Sequence, residues 1–168
     1  GNGYWLNFPE AGSTTITGLP ITSLTISLSQ GWNLIGGISE TVDVSSISDP
    51  DGIIVPGTVY EFTETYSNVS VIDPGKGYWI NTSGMGSITI SAGDSASTIA
   101  QFTDRTKEAN ILSFNGSDLY FGVAIPEEEW LSYELPPKPP TGAMNARFAD
   151  NMKVAENSGA IEIMNNTD

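Results

Sequence analysis

Short runs in which apolar and hydroxyl-bearing residues alternate are the feature of this chain that most limits its fold. Leu24, Ile26 and Leu28 alternate with hydroxyl residues, and the same period of two recurs at 58–62 and 160–164. Since successive side chains of a strand point to opposite faces, these runs predict half-buried strands. Turn-forming residues separate about 13 such runs. We therefore predict an all-β chain of antiparallel β-sandwich modules with little or no helix.

Several local signals place turns and connectors. The Asn115-Gly116 pair lies between two apolar runs and predicts a hairpin, because it tolerates the positive φ of a tight turn. Pro126, followed by three glutamates, predicts a short helix with a solvated acidic start, and residues 42–47 are compatible with one helical turn. The proline run 136–140 is interpreted as a stiff connector that covers a sheet edge, with a ligand for a partner as the alternative.

An internal repeat further limits how the strands of this chain can be arranged. Residues 1–18 match residues 75–92 without a gap, and nine of the 18 positions are identical. Both copies begin with Gly-x-Gly-Tyr-Trp, at 1–5 and at 75–79. The shared pattern predicts one supersecondary unit used twice, a Gly-Tyr-Trp hairpin whose second strand is rich in Thr and Ile.

The two copies differ in what precedes them. A full set of strand signals from Trp32 to Pro74 leads into the second copy, whereas the first begins at residue 1. A lone two-stranded hairpin is marginally stable in water. We therefore expect the hairpin at 4–17 to dock on the rest of the chain or on a neighbouring molecule.

A small polar stretch at 93–98 follows the second repeat copy and is predicted to be a linker. It divides the chain into a first β-module, residues 1–92, bounded by the two repeat copies, and a second β-module, residues 99–168.

Composition excludes several classes of function. The chain has no His and no Cys, which excludes Ser-His-Asp and Cys-His nucleophilic sites, His/Cys zinc sites, His- or Cys-ligated haem and disulfides. Twenty acidic residues against six basic ones give a net charge of −14, which argues against nucleic acid and anionic membranes as partners. No apolar run reaches the roughly 18 residues of a transmembrane helix, so no membrane insertion is expected. No motif pairs two acids as a glycosidase would, so we expect no enzymatic activity.

The order of several motifs resembles a known family. The motifs are Gly-Trp-Asn-Leu-Ile-Gly-Gly at 31–37, Val-Asp-Val-Ser-Ser-Ile at 42–47, Pro-Gly-Lys-Gly-Tyr-Trp-Ile at 74–80, Tyr-Glu-Leu-Pro-Pro at 133–137 and Gly-Ala-Met-Asn-Ala-Arg-Phe at 142–148. In this order they resemble the β-rich modules just upstream of the C-terminal sorting domain in type IX-secreted surface proteins of the Bacteroidota and Ignavibacteria group.

This resemblance implies export to the cell surface or the medium and implies no catalytic residue. No sorting domain follows Asp168, which fits a cleaved or truncated product. The Asp94-Ser95-Ala96 triplet resembles the O-glycosylation acceptor of that bacterial group, which makes Ser95 a candidate glycosylation site.

The repeated Tyr-Trp pairs supply the binding candidates. Neighbouring residues of a strand point to opposite faces, so one ring of each pair is expected in the core and the other exposed or at a module interface. Exposed rings beside amides suit sugars, and the alternative is that the rings pack strands together. The candidate ligand or interface residues are Tyr4, Trp5, Asn7, Tyr78, Trp79 and Asn81.

Three carboxylates near a glycine turn are candidate calcium ligands. Asp43, Asp49 and Asp51 precede Gly52, and Ca²⁺ prefers oxygen ligands. Asp side chains that stabilise Asx-turns give the same pattern without metal. No other cofactor is expected.

Together these observations predict a non-enzymatic, secreted or cell-surface β-module that acts as a structural, adhesive or self-assembling component, such as a filament or surface-layer subunit. Its expected partners are copies of itself, neighbouring β-modules or glycans. In the assembly version, residues 4–8 complete a neighbour's sheet. Because like charges repel, self-association should tighten at high salt or with divalent cations. The alternative is a carbohydrate-binding module of a secreted multidomain enzyme.

Overall fold

The computed structural model describes residues 1–6, 9–13, 15, 17–93, 99, 101–140, 144–157 and 159–164. These residues form thirteen strands and three short 3₁₀ helices, which confirms the all-β prediction. The strands are β1 Ser23–Leu28, β2 Gly31–Gly36, β3 Val42–Asp43, β4 Ile54–Phe62, β5 Tyr66–Asn68, β6 Val71–Ile72, β7 Gly77–Thr82, β8 Gly86–Ser91, β9 Asn110–Phe114, β10 Ser117–Phe121, β11 Asn145–Phe148, β12 Val154–Ala155 and β13 Ile161–Met164. The 3₁₀ helices are Val44–Ser46, Arg105–Glu108 and Glu127–Tyr133.

The first half of the chain is a sandwich of two sheets around one core. The larger sheet has the order β2–β7–β4–β5, and the smaller one pairs β1 with β8. Apolar residues at every second position of these strands form a continuous buried cluster, as the alternation predicts. Its members include Ile26, Leu28, Ile35, Val59, Tyr78, Ile80, Ile88 and Ile90.

A single bent ribbon connects the two sheets. Residues 23–36 run antiparallel to residues 77–91, first as β1 on β8 and then as β2 on β7. At the bend, residues 29–30 of one stretch lie opposite residues 83–85 of the other, so the pairing register shifts by one residue. Gly31, at φ 91°, lies at this corner, and the Thr82 hydroxyl donates to the Ser29 carbonyl across it at 2.7 Å.

The predicted hairpin of the second repeat copy is therefore wrong. Its two strands lie in different sheets. In the larger sheet β7 pairs with β2 and β4, and in the smaller sheet β8 pairs with β1. The physical reason is that a strand pair bent at a corner buries apolar side chains on both inner faces of the sandwich. A local hairpin would bury one face only.

The first repeat copy differs from its prediction as well. Among the described residues of 4–17, none lies in a strand. Residues 1–3 instead pair with the outer edge of β2, where Gly3 N donates to Leu34 O and Gly36 N donates to Gly1 O, both at 2.8 Å. The first copy adds to this edge because the inner side of β2 is already paired with β7.

The second half of the chain contains two smaller sheets. One has the order β12–β10–β9, and the other pairs β11 with β13. The β9–β10 hairpin predicted from its turn is confirmed, with Asn115 at φ 46° and Gly116 at φ 88°. Leu119, Ala146 and Phe148 form the buried centre of this half.

Two predicted local features also occur. Pro126 directly precedes the helix Glu127–Tyr133, as predicted. The proline run 136–140 lies beside β5, an edge strand, since the Tyr66 hydroxyl donates to Pro137 O at 2.7 Å. Within the described residues, no helix has the length and apolar character needed to span a membrane. Residues 94–98 of the predicted linker lie outside the described residues.

The β9–β10 turn gives a test of backbone strain. Gly116→Ala should lower the free energy of unfolding by about 1–2 kcal/mol, because a side chain is disfavoured at positive φ. Its Cβ would meet no atom within 4 Å, so the loss would come from the backbone alone. Gly84→Ala is the control, since its Cβ would make an ordinary contact at 3.9 Å. Equal urea denaturation midpoints for the two variants would contradict the assigned turn.

Candidate functional site

Two of the predicted binding residues are buried, Tyr78 in the core and Asn81 on the opposite face of β7. Tyr78 is 1% exposed, and its hydroxyl accepts a hydrogen bond from Asp73 N at 2.8 Å. Burial raises its pKa. Asn81 is 2% exposed, and its Nδ2 donates to Glu134 Oε2 at 3.2 Å. Neither side chain is therefore open to a ligand from solution.

Trp79 lies on the opposite face of β7, as the alternation predicts. There it joins an aromatic face of the larger sheet, which consists of Trp32, Tyr60, Phe62, Tyr66 and Trp79. Edge-to-face contacts connect four of these rings. The ring centroids are separated by 5.9 Å for Trp32–Tyr60, 6.4 Å for Tyr60–Tyr66 and 5.1 Å for Phe62–Tyr66. Such contacts add to the stability gained by burying the rings.

The second half of the chain packs against this aromatic face. Lys153 Nζ donates to the Tyr60 hydroxyl at 3.1 Å and to Asn68 Oδ1 at 3.2 Å. The same ammonium lies 5.5–6.0 Å from the ring centroids of Tyr60, Phe102 and Tyr133, within cation–π range. The aromatic face is thus an internal interface.

Sequence reasoning did not identify Lys153. The available signal was its position as a lone cation between Met152 and Val154 in a chain with only six basic residues. A buried or half-buried cation needs partners, and here rings and neutral oxygens supply them.

Tyr4 and Trp5 directly follow the stretch that pairs with the outer edge of β2, and Trp5 lies against β4 of the larger sheet. The Trp5 ring meets Phe62 edge-on at 5.2 Å and remains 44% exposed, while Tyr4 and Leu6 are 76% and 73% exposed. Gly3 is required for this attachment, because a Cβ there would lie 2.9 Å from Ile35 O. Residues 4–6 therefore present apolar surface next to the point where residues 1–3 join β2. Asn7 lies outside the described residues.

Strand β9 forms an open edge of the sheet β12–β10–β9, and the sequence pattern did not lead us to predict it. Among the described residues no strand pairs with its outer side, and Ile111 and Leu112 are 55% and 38% exposed. Its sequence, Asn-Ile-Leu-Ser-Phe, contains no charge and no proline. Natural sheets usually protect such edges with charges, prolines or bulges, because unpaired backbone groups attract another strand. The missed signal was the absence of those residues.

Two of the three candidate calcium ligands, Asp49 and Asp43, have other partners. Asp49 is 2% exposed, and its two carboxylate oxygens accept from Ile53 N at 3.0 Å and Ile54 N at 2.8 Å. Asp43 Oδ1 accepts from the Ser45 hydroxyl, and Asp51 is exposed. Across the residues that the structure describes, no three acidic side chains form a group suited to a metal ion. The Asp49 contacts match the turn-stabilising alternative.

The candidate glycosylation site Ser95 lies outside the described residues. Comparison with family models, with curated proteins and with solved structures finds no match to this chain.

The role of Asp49 can be tested by unfolding. Asp49→Ala should destabilise the protein by about 1–3 kcal/mol for each buried N–H left unsatisfied. The exposed neighbour gives the control, Asp51→Ala, with an expected change of no more than about 0.5 kcal/mol. Added calcium should leave both values unchanged in thermal unfolding. A rise in melting temperature with calcium that Asp49→Ala abolishes would instead identify a metal site.

The aromatic face gives a prediction for alkaline pH. Burial raises the pKa of Tyr66 to about 12, although Trp79 and the Arg147 charge act in the opposite direction. The unfolded chain loses this phenol proton near pH 10 and the folded chain near pH 12, so stability should fall as pH rises through that interval. Tyr66→Phe should flatten the fall in urea-denaturation free energy, whereas Tyr4→Phe, at an exposed position, should not. An unchanged slope in Tyr66→Phe would refute the assignment.

Proposed function

We propose that this protein is a non-enzymatic structural β-module of an extracellular assembly, and that copies join by strand addition at β9. The observation that carries the proposal is the uncharged, proline-free outer edge of β9. Backbone N–H and C=O groups at such an edge are satisfied best by another extended strand. The chemistry of the edge thus defines the partner as a β-strand.

Residues 4–6 form the N-terminal segment that we propose to be added to β9. It carries no charged side chain, and Tyr4 and Leu6 are largely exposed. In an extended strand Tyr4 and Leu6 point to the same face, and on β9 they would find an apolar cross-strand neighbour in Ile111. Residues 1–3 retain their hydrogen bonds to β2 in this arrangement, while residue 4 onward reaches the neighbour.

The geometry of this contact favours an open chain of subunits. The segment and β9 are different surfaces of the molecule, so one copy contributes its segment and accepts another at β9. Contacts of this head-to-tail kind continue into filaments unless the rotation between subunits closes a ring. The assembly that we propose is therefore a filament or a surface layer.

Charge sets the conditions for assembly. Each copy carries a net charge of −14, so association brings like charges together. Salt shortens the range of this repulsion, with a Debye length of about 8 Å at physiological ionic strength. Tighter association at high salt is the expected result.

Two further parts of the proposal rest on the sequence. The extracellular location is supported by the resemblance to exported surface modules. The non-enzymatic character is supported by the absence of His and Cys from the sequence, since most activated nucleophiles depend on them.

A matched pair of variants tests the β9 joint. Ile111→Lys places a charge on the edge, and Met85→Lys places the same charge on an exposed turn. In sedimentation velocity over a range of concentrations and salt, we expect Ile111→Lys to weaken self-association by about tenfold or more. Met85→Lys should behave as the native chain.

Two outcomes would contradict the proposal. One is a native chain that stays monomeric at every concentration and salt level. The other is equal association of the two lysine variants, which would place the joint elsewhere. Negative-stain microscopy of the associated native material should show filaments or sheets.

A further inference from the structure

A cleft of about 490 Å³ lies where the two halves of the chain meet. The lining from the first half includes Val69 and Asn68, and that from the second half includes Phe102, Asp104, Tyr120 and Lys153. Apolar walls with a few convergent polar groups, placed between two packed units, are typical of small-molecule sites. The lining is mixed, so a fitting ligand has both an apolar face and polar groups.

Asp104 presents a carboxylate to the cleft. Its Oδ1 accepts both the Thr106 backbone N–H at 3.0 Å and the Thr106 hydroxyl at 2.6 Å. Burial opposes ionisation, but the Thr106 hydrogen bonds and the Lys153 charge outweigh it, and the pKa of Asp104 lies below its ordinary value. Because both local bonds use Oδ1, Oδ2 is positioned to accept a hydrogen bond from a ligand.

Lys153 presents the complementary donor. Its ammonium has three N–H groups, and the Tyr60 hydroxyl and Asn68 Oδ1 accept from two of them. Among the described residues Lys153 forms no ion pair within 4 Å. The third N–H has no hydrogen-bond acceptor among the described residues, and the nearest rings lie 5.5–6.0 Å from the ammonium.

A hydroxyl group suits both side chains. Its oxygen accepts a hydrogen bond from an ammonium, and its O–H donates one to a carboxylate. The C–H face of a sugar ring suits the apolar part of the lining, which includes Val44 and Val69. The charged residues that line the cleft are one carboxylate, Asp104, and one ammonium, Lys153, so the lining has no net charge and favours a neutral ligand over a charged one. We propose that this cleft binds a neutral sugar unit through Asp104 and Lys153. This site is separate from β9 and does not depend on the proposed assembly.

The test measures binding of defined sugars to the full chain. Glucose, galactose, mannose, xylose and N-acetylglucosamine serve as neutral probes, and glucuronic acid and glucosamine as charged ones. Saturation-transfer NMR detects weak binding, and titration calorimetry gives the dissociation constant. At least one neutral probe should bind, and more tightly than either charged probe.

Variants assign the binding to the cleft. Asp104→Asn removes the charge and should weaken binding of the neutral probe by about tenfold or more. Asp51→Asn makes the same charge change at an exposed turn and should leave binding unchanged. Tyr120→Phe, which keeps the ring, provides a second cleft variant if Asp104→Asn does not fold by circular dichroism, and it should also weaken binding.

The proposal is overturned if no neutral probe binds, if a charged probe binds more tightly, or if the folded cleft variants bind as the native chain does. Binding by a chain that stays monomeric would support the sugar site and contradict the assembly, so the two proposals fail separately.

Discussion

The pairing of residues 23–36 with residues 77–91 is the constraint on which the rest of this structure depends. The two stretches stay together through both sheets, and the one-residue shift at Gly31 turns them through the corner. Apolar side chains at alternate positions then meet across the sandwich in one core. Because β7 is held in the centre of the larger sheet, Tyr78 is fixed in the core and Trp79 on the opposite face.

That opposite face determines how the second half of the chain is placed. Lys153 meets Tyr60 and Asn68, and Pro137 accepts from Tyr66, so these aromatic residues are covered by the second half. The packing leaves a cleft beside Asp104. It also leaves the outer side of β9 without a partner strand among the described residues, and Tyr4 and Leu6 largely exposed. The proposed contacts with other copies therefore use surfaces outside the internal interface, whereas the proposed sugar site lies at that interface.

The β9–β10 turn, a prediction that depends on neighbouring residues, was confirmed, whereas the repeat hairpin, a prediction that depends on which distant strands pair, was wrong. Asn115-Gly116 specified its turn because two adjacent residues hold the required positive φ. The Gly-Tyr-Trp repeat did not specify a hairpin, because a strand's pattern records which face is buried and not which strand pairs with it. Asp49 shows the same limit, since its spacing suited calcium but its oxygens bind the backbone of Ile53 and Ile54.

By itself the sequence determined an all-β chain, the positions of most strands, the opposite facing of Tyr78 and Trp79, and the absence of His and Cys chemistry. Those properties depend on composition and on period-two alternation within a few residues. The tertiary structure alone decided that the repeat spans two sheets, that Asn81 is buried, that β9 is an open edge, and that Asp104 and Lys153 share a cleft. Those outcomes depend on contacts between residues far apart in the chain, such as Lys153 with Asn68, which no local pattern encodes.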